Sequence, residues 1–282
     1  IPKPPDARYF QMTFQLLFLS YGLLFLQWKA EWLNYILFII TGLILQWIGD
    51  SFLSKKIIHP FHWENEGWKS VLISCFSLCL LLKTNHWYIC IFAAALTVLS
   101  KYVIRYKGKH IFNPSAFGII ATVIITKDAW LSPGQWGSGA VIFFAVCCLG
   151  FIVASKVQKL DITLAFLITF AGLLFARQVV YLDWSIDVFL QSVSTGSLLL
   201  FSFFMISDPK TAPNHPAARI IWAVLIAAVA FYLSAFKWMN STPIYVLVFA
   251  APLVPLFDRI MKSVKFEWNQ QAIRAKSKVI SI

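Results

Sequence analysis

Charged residues are scarce in this sequence: they make up 13% of its 282 residues, while 59% are hydrophobic. A soluble domain carries about a quarter charged residues and under half apolar ones. The shortage of charge therefore excludes an ordinary soluble domain, and the excess of apolar surface requires a lipid bilayer. Within the long apolar runs almost no ionisable side chain occurs, which argues against a charge-translocating pump that acts alone.

Cysteine is also rare, and its distribution excludes two kinds of site. The five cysteines all lie inside apolar runs, so we expect neither a disulfide framework nor an iron–sulfur cluster, which needs about four converging thiolates. The sequence contains no Ser-His-Asp set, nucleotide-binding glycine loop or metalloprotease helix. His59, His62 and Glu64 have the spacing of metal ligands, but Pro60 and Gly67 predict a loop without a rigid frame. We therefore predict no catalytic residue and no metal site.

Ten apolar segments follow one another along the chain. A straight transmembrane helix needs roughly 20 residues, or about 17 at the short end. The third, fifth and tenth segments are shorter, so we expect partial helices there or extension into the loops. The predicted segments are Phe10–Trp28, Leu33–Leu53, Ser70–Leu82, Trp87–Ile104, Pro114–Thr126, Gly139–Ser155, Leu160–Ala176, Val188–Ser207, Ala217–Phe236 and Pro243–Phe257. The sequence thus predicts an all-α membrane protein of about ten transmembrane helices, forming a single integral membrane domain over 1–282.

The basic residues alternate between loops in a way that predicts the topology. With ten helices, 19 of the 24 Lys and Arg residues fall on the side that holds both termini, and 5 fall on the other side. Cytoplasmic loops are enriched in Lys and Arg, so we expect both termini in the cytoplasm. The net charge of +12 is then a topology signal, and we predict no nucleic-acid partner. The sequence does not begin with Met, so we expect its numbering to start inside a longer or processed product.

Two cytoplasmic loops place polar residues directly before apolar helices. The first, KGKHIFNPSAFG, covers Lys107–Gly118, and its Asn113-Pro114 pair is typical of a helix N-cap and first turn. The second, FFMISDPKTAPNHPAAR, covers Phe203–Arg219, and its three prolines prevent a continuous helix. Both loops join an even-numbered helix to an odd-numbered one. They therefore lie on the same side of the membrane, and we expect them to meet in the fold.

These loops carry a resemblance to a known family. The chain resembles RnfD, a membrane component of the Rnf electron-transport complex, and NqrB, a membrane component of the sodium-pumping NADH:quinone reductase (together RnfD/NqrB). It is most similar to the short stand-alone branch called UnbU-like. The matching stretches are GKHIFNPSAFG at Gly108–Gly118, WLSPGQWGS at Trp130–Ser138 and LLLFSFFMISDPKT at Leu198–Thr211. With the ARYFQ start and APLVPLFDR at Ala251–Arg259, the likeness covers most of the chain.

The resemblance implies two related five-helix halves, similar to the fold of urea transporters, in the bacterial inner membrane. The halves would cover about 1–127 and 138–260, followed by a basic cytoplasmic tail over 261–282. Larger members attach FMN covalently to a Thr in an SGAT-like motif, within a long region between the halves. Here only Lys127–Ser138 joins the fifth and sixth helices, and it lacks the motif, so we do not expect covalent FMN-threonine.

A second SGAT-like segment of the family corresponds here to Ser194-Thr195-Gly196-Ser197. The family's Thr position falls at Leu198, whose side chain can neither accept a flavin nor donate a hydrogen bond. The neighbouring hydroxyl groups either bind polar edges of a flavin or quinone, or only pack helices and bond their own backbone carbonyls.

Asp208 also has two interpretations. It is either a functional carboxylate, with Lys210 and Arg219 as charge partners, or a cap of its own turn. The basic stretch Lys101–His110 could receive the phosphate of FMN or an anionic lipid head group, although the positive-inside rule explains its lysines without a ligand and is favoured. The candidate cofactor-binding residues are Asn113, Ser115, Ser194, Thr195, Ser197, Asp208, Lys210 and Thr211.

Two functions of different kinds follow from these features. The first is an electron-transfer subunit that holds a non-covalent flavin (riboflavin or FMN) or a quinone and serves other membrane or envelope subunits. The second is a cofactor-free, transporter-like or scaffold subunit of a larger membrane complex. The paired polar loops favour the first function, whereas the missing FMN-threonine motif favours the second.

Overall fold

The structure is a computed structural model, and it describes residues 6–54, 67–132, 151, 155 and 159–264. The possible metal-ligand loop with His59, His62 and Glu64, most of the predicted sixth segment and most of the basic tail lie outside the described residues. The described part is an all-α membrane protein with two short β ribbons.

Five helices occupy the first half of the chain. They are α1 Ala7–Leu24, α2 Trp32–Ser54, α3 Gly67–Leu81, α4 Trp87–Val103 and α5 Pro114–Thr126. Each coincides with a predicted apolar segment to within a few residues, and α5 begins and ends where the sequence predicts.

The later helices are less regular. They are α6 Leu160–Phe175, continued by a π-helix Ala176–Tyr181; α7 Ile186–Val193; α8 Gly196–Leu200, continued by a π-helix Phe201–Met205; α9 Pro216–Lys237; and α10 Thr242–Ala250, joined through the 3₁₀ turn Ala251–Leu253 to α11 Val254–Ile260. Among the described residues, four helical stretches are long and apolar enough to cross a membrane, or five if the bent pair α7–α8 is one span.

The predicted eighth segment, Val188–Ser207, is not one continuous helix. It is divided into α7 and α8, which are bent by 47° relative to each other. The hydroxyl of Ser194 donates to the carbonyl of Leu190, and Thr195 has extended backbone angles directly before Gly196. Side chains that bond the preceding turn, followed by glycine, end a helix that hydropathy alone extends.

Two antiparallel ribbons lie at helix ends. Strand β1, Leu82–Thr84, follows α3 and pairs with β4, Ala129–Leu131, which follows α5. Strands β2, Arg105–Tyr106, and β3, Lys109–His110, form a hairpin between α4 and α5. The hairpin places the polar residues before α5 against the second polar loop.

Packing divides the described helices into two groups. In the first, α2 packs on α3 and α4, α1 packs on α3, and α5 packs on α3 and α4; in the second, α9 packs on α6 and α10. Helix α5 also contacts α10 and so joins the two groups. The α4–α5 contact is very close, because a Cβ added to Gly118 would lie 1.8 Å from Oγ1 of Thr97.

Candidate functional site

The site begins at the N-terminus of α5, where Asn113 is the N-cap. Its Oδ1 accepts hydrogen bonds from the amide of Ala116 at 3.2 Å and from the hydroxyl of Ser115 at 2.9 Å. Pro114 occupies the first helical position, where a missing N–H group costs nothing. The same capping leaves the Nδ2 group of Asn113 free to point across to the second polar loop.

The second loop turns around Asp208. Its Oδ1 accepts the backbone amide of Lys210 at 3.1 Å, and its carbonyl accepts the amides of Thr211 and Ala212 at 3.2 and 3.0 Å. These bonds form an Asx-type turn at the end of the α8 segment. The capping interpretation of Asp208 is therefore confirmed for one carboxylate oxygen, while the other oxygen faces Asn113.

The two polar loops meet, as the sequence predicts. Nδ2 of Asn113 lies 3.4 Å from both the carbonyl of Met205 and Oδ2 of Asp208, which are long hydrogen bonds. Nζ of Lys109 reaches the carbonyl of Ala212 at 2.6 Å and Oδ2 of Asp258 at 2.8 Å. One cluster of polar contacts thus joins the start of α5 to the loop before α9 and to α11.

Arg219 does not pair with Asp208, in contrast to the prediction. Its guanidinium group contacts Asp161 at 2.5–2.6 Å and donates to the carbonyl of Asn214 at 3.0 Å. Because the N-terminal residues of α6 and α9 are held together in this way, Asp208 faces α5 without this cation.

A cavity lies between the two loops and the ends of α1, α3 and α4. Its volume is about 70 Å³. Its polar and charged lining comes from Arg8, Gln11, Ser70, Ser74, Ser77, Lys101, His110, Asn113, Ser115, Ser207, Asp208 and Lys210. Twelve of the 17 lining residues are thus polar or charged.

Two fully buried nitrogen atoms of the lining have no hydrogen-bond partner among the described residues. They are Nζ of Lys101, whose side chain is only 5% exposed, and Nδ1 of His110. Burial lowers the pKa of His110 to about 4, and the neighbouring cations of Lys210, Arg105 and Lys101 add to the effect. The imidazole is therefore neutral at physiological pH and offers both donor and acceptor capacity.

Cations outnumber carboxylates in the lining. Arg8, Lys101 and Lys210 face a single acid, Asp208. Arg8 is held by Asp6 at 2.7 Å. Burial raises the pKa of Asp208, while the backbone amide and the ammonium group of Lys210 oppose this rise. The electrostatic balance of the cavity favours a negatively charged or strongly accepting group.

The structure brings four of the eight predicted residues together around this cavity: Asn113, Ser115, Asp208 and Lys210. Thr211 lines a smaller neighbouring cavity, of about 10 Å³, which Asn113 also borders. The hydroxyl residues Ser194, Thr195 and Ser197 lie at the break between α7 and α8, outside the lining of both cavities.

Several lining residues were not predicted from the sequence. Ser70, Ser74 and Ser77 are spaced by four and three residues on α3, so they share one helical face, and this spacing was a readable signal. Ser74 and Ser77 each donate to a carbonyl one turn earlier, and Ser77 accepts Nε2 of Gln15 at 2.8 Å. Arg8 carries no local signal, because only the packing of α1 on α3 brings it to the cavity.

A family model described as the NQR2, RnfD, RnfE family matches residues 126–267, which is half of the chain. The chain belongs to the NQR2, RnfD, RnfE family. It is accordingly a membrane subunit of the Rnf/Nqr type, whose members work in multi-subunit membrane complexes. No curated protein matches the chain significantly. The matched range includes Asp208 and its turn, whereas Asn113 precedes it.

The cavity size limits which part of a family cofactor can enter. An engineered cavity of about 150 Å³ in another protein takes one benzene molecule, whereas a single water needs only about 10–15 Å³. A cavity of about 70 Å³ is thus too small for the three fused rings of a flavin, and a quinone ring requires side chains to move. A compact polar group of a cofactor fits, and the lining offers donors for it.

Proposed function

We propose that this chain takes part in electron transfer within its membrane complex, and that the polar cavity holds the polar end of a non-covalent flavin (riboflavin or FMN) or quinone. The observation that carries the proposal is the contact between Asn113 and Asp208. It joins the two loops that carry the family resemblance around a cavity with a buried cation.

The lining residues would each make a different contact with the cofactor. The Nδ2 group of Asn113, whose two contacts at 3.4 Å are long, is placed to donate to a cofactor oxygen. The hydroxyl of Ser115, whose proton goes to Oδ1 of Asn113, can accept a hydrogen bond, and Lys210 adds positive charge. The ring system would extend through the mouth of the cavity, because it exceeds the space inside. When bound, such a cofactor accepts and releases electrons, which no side chain of the lining does. Leu198 at the family's Thr position supports a non-covalent mode.

We also propose the number of helices and the sides of the membrane on which the termini lie. We infer about ten helices in two related halves, both termini in the cytoplasm of a bacterium, an inner-membrane location, and the UnbU-like branch of the family. In support, basic residues near the starts of α3, α5 and α9 form ion pairs: Lys69, Lys109 and Arg219. Insertion of cysteine at loop positions, followed by labelling of whole cells, tests the sides.

The cofactor proposal is tested with the full chain, purified with its complex in mild detergent. We expect a flavin absorption spectrum or an extractable quinone that changes on reduction through the partner subunits. Asn113→Ser keeps an N-cap but removes the amide group, so it should weaken cofactor retention. Asp187→Asn, at an exposed position of α7, is the matched control. A complex without flavin or quinone, or equal retention in both variants, would refute the proposal.

A second candidate is a scaffold or transporter-like subunit without a cofactor. Two observations favour it: the hydroxyl groups of Ser192 and Ser194 bond carbonyls of their own helix, and the cavity is small. A scaffold should assemble a complete complex even when the cavity is altered, for example in Ser115→Val. A transporter-like protein should instead give solute flux in liposomes. Loss of assembly without any flux would count against this candidate.

A further inference from the structure

We propose that the cavity between α3, α5 and the loop before α9 is a binding site for a phosphate group. The inference deepens the proposed function, and it rests on that function only where it selects a phosphorylated flavin among the possible cofactors. The phosphate site itself follows from an unpartnered cation, the charge balance and the size of the cavity.

The first step concerns Lys101. Its side chain is 95% buried, lines the cavity, and its ammonium group has no hydrogen-bond partner among the described residues. The carboxylates that act on it electrostatically are Asp208 and Asp50. Both are already engaged, Asp208 by its own turn and Asp50 by the hydroxyl of Tyr102 at 2.8 Å and by Gln46. A buried ammonium group without a partner is unfavourable, so a bound anion is the natural complement.

The second step is the sign of the whole lining. Arg8 is neutralised by Asp6, whereas Asp208 is the single carboxylate of the lining beside Lys101 and Lys210. The N-terminus of α5, a helix of 13 residues, is also directed at the cavity through Asn113 and Ser115, and its dipole favours negative charge there. An anion thus meets a buried lysine and a helix N-terminus at the same place.

The third step is size. A volume of about 70 Å³ corresponds to a few water molecules, which matches a phosphate tetrahedron and not an aromatic ring system. A quinone and riboflavin bring no charge, whereas FMN and phospholipids both carry a phosphate ester. Phosphate is therefore the shared chemistry, and the two sources are a soluble cofactor and a lipid head group.

The binding test uses the purified full chain in detergent, with inorganic phosphate as the probe and chloride at equal ionic strength as the reference. We expect saturable binding by calorimetry and a rise in the unfolding temperature with phosphate concentration. Lys101→Gln should raise the Kd for phosphate about tenfold or more, since hydrogen bonds to charged groups are strong. Lys107→Gln, at an exposed position of the same basic stretch, should leave the Kd unchanged.

Two results separate a binding role from a structural one. Lys101→Gln should be at least as stable as the natural chain without phosphate, because it removes an unpaired buried charge, and it should lose the phosphate-dependent rise. Asp208→Asn keeps an oxygen for the amide of Lys210 but removes the carboxylate that repels an anion, so it should tighten phosphate binding severalfold. A damaged fold produces neither effect.

The source of the phosphate is tested by competition. Displacement of inorganic phosphate by FMN, but not by riboflavin, supports the cofactor assignment. Displacement only by phosphatidic acid in mixed micelles overturns it in favour of a lipid head group.

The phosphate site is refuted if phosphate and chloride act alike, or if Lys101→Gln binds phosphate as the natural chain does. If phosphate binds but no flavin or quinone is ever found, only the proposed function fails. A coloured complex indifferent to phosphate refutes only this inference.

Discussion

The close contact of α4 with α5 makes Gly118→Ala a sharp test of how the site is held in place. An added Cβ would lie 1.8 Å from Oγ1 of Thr97, 2.9 Å from its Cβ and 3.1 Å from the carbonyl of Ala93. The Thr97 hydroxyl can rotate, but the Cβ atom and the carbonyl can move only with the α4 backbone. Gly118 lies about 7 Å along the helix from Asn113, so a shift of α5 also moves the cap.

The magnitude follows from two opposing effects. Overpacking costs about 1–3 kcal/mol and occasionally more, while alanine is favoured over glycine within a helix by about 0.5–1 kcal/mol. We expect a net loss of about 2 kcal/mol for Gly118→Ala, which is a fall of about 4–8 °C in the unfolding temperature. Gly172→Ala is the matched control, since nothing lies within 4 Å of its added Cβ, and it should be neutral or slightly stabilising.

A double-mutant cycle makes the prediction refutable. Oγ1 of Thr97 has no hydrogen-bond partner among the described residues, so Thr97→Ala alone should cost little. Combined with Gly118→Ala, it should restore only part of the lost stability, because it removes the closest clash but keeps those with Cβ of residue 97 and with the carbonyl of Ala93. The assay is thermal unfolding in detergent, followed by the fluorescence of the 12 tryptophans. Additive effects, or a stable Gly118→Ala variant, would show that the two helices are not in this close contact.

One buried lysine and one partly buried lysine give further predictions. Burial, aided by Arg219, lowers the pKa of Lys159 to about 7 from its ordinary 10.5, so the unfolded chain binds the proton more tightly and stability rises with pH between these values. Lys159→Met should therefore raise the unfolding temperature at pH 7, and its gain in the free energy of unfolding should be at most about 5 kcal/mol. This gain should vanish near pH 10.5. A gain that does not change with pH would contradict the assignment. Lys109→Met removes the ion pair with Asp258 and should cost about 2 kcal/mol, less than the roughly 3–5 kcal/mol of a fully buried pair, by the same unfolding assay. Lys262→Met, at an exposed position, serves as the reference, and equal stability of the two variants would refute the role of the pair.

Local signals predicted the start of α5 and the meeting of the two loops. An Asn-Pro pair fixes a helix start through contacts within four residues, and loops on one side of the membrane converge when their helices pack. The continuous eighth helix was wrong, because hydropathy does not register the hydrogen bond from Ser194 or the glycine that follows Thr195. The contribution of a side chain from a distant helix, such as Arg8, depends on packing and leaves no trace in local sequence.

The burial of Lys101 also depends on packing that local sequence does not reveal. From sequence it belongs to a basic stretch that the positive-inside rule explains fully. Its neighbours Arg105 and Lys107 are indeed exposed, whereas Lys101 is buried against a cavity. Lys101 differs from its neighbours because it lies on the side of α4 that faces the cavity. The sequence shows which residues share a helix face, but which face is buried depends on the positions of α3 and of the loop before α9.

The ribbon formed by β1 and β4 has a consequence for how the chain enters the membrane. Helix α3 has 15 residues and α5 has 13, so they rise about 22 and 20 Å, short of the roughly 30 Å hydrocarbon core. The three-residue strands extend each by about 10 Å, and their backbone groups bond each other, with the amide of Ser132 donating to the carbonyl of Leu81 at 2.9 Å. A crossing that either helix completed with its own strand alone would expose unpaired peptide groups to lipid. We therefore expect α3 and α5 to complete their insertion as one unit, after α5 has been synthesised.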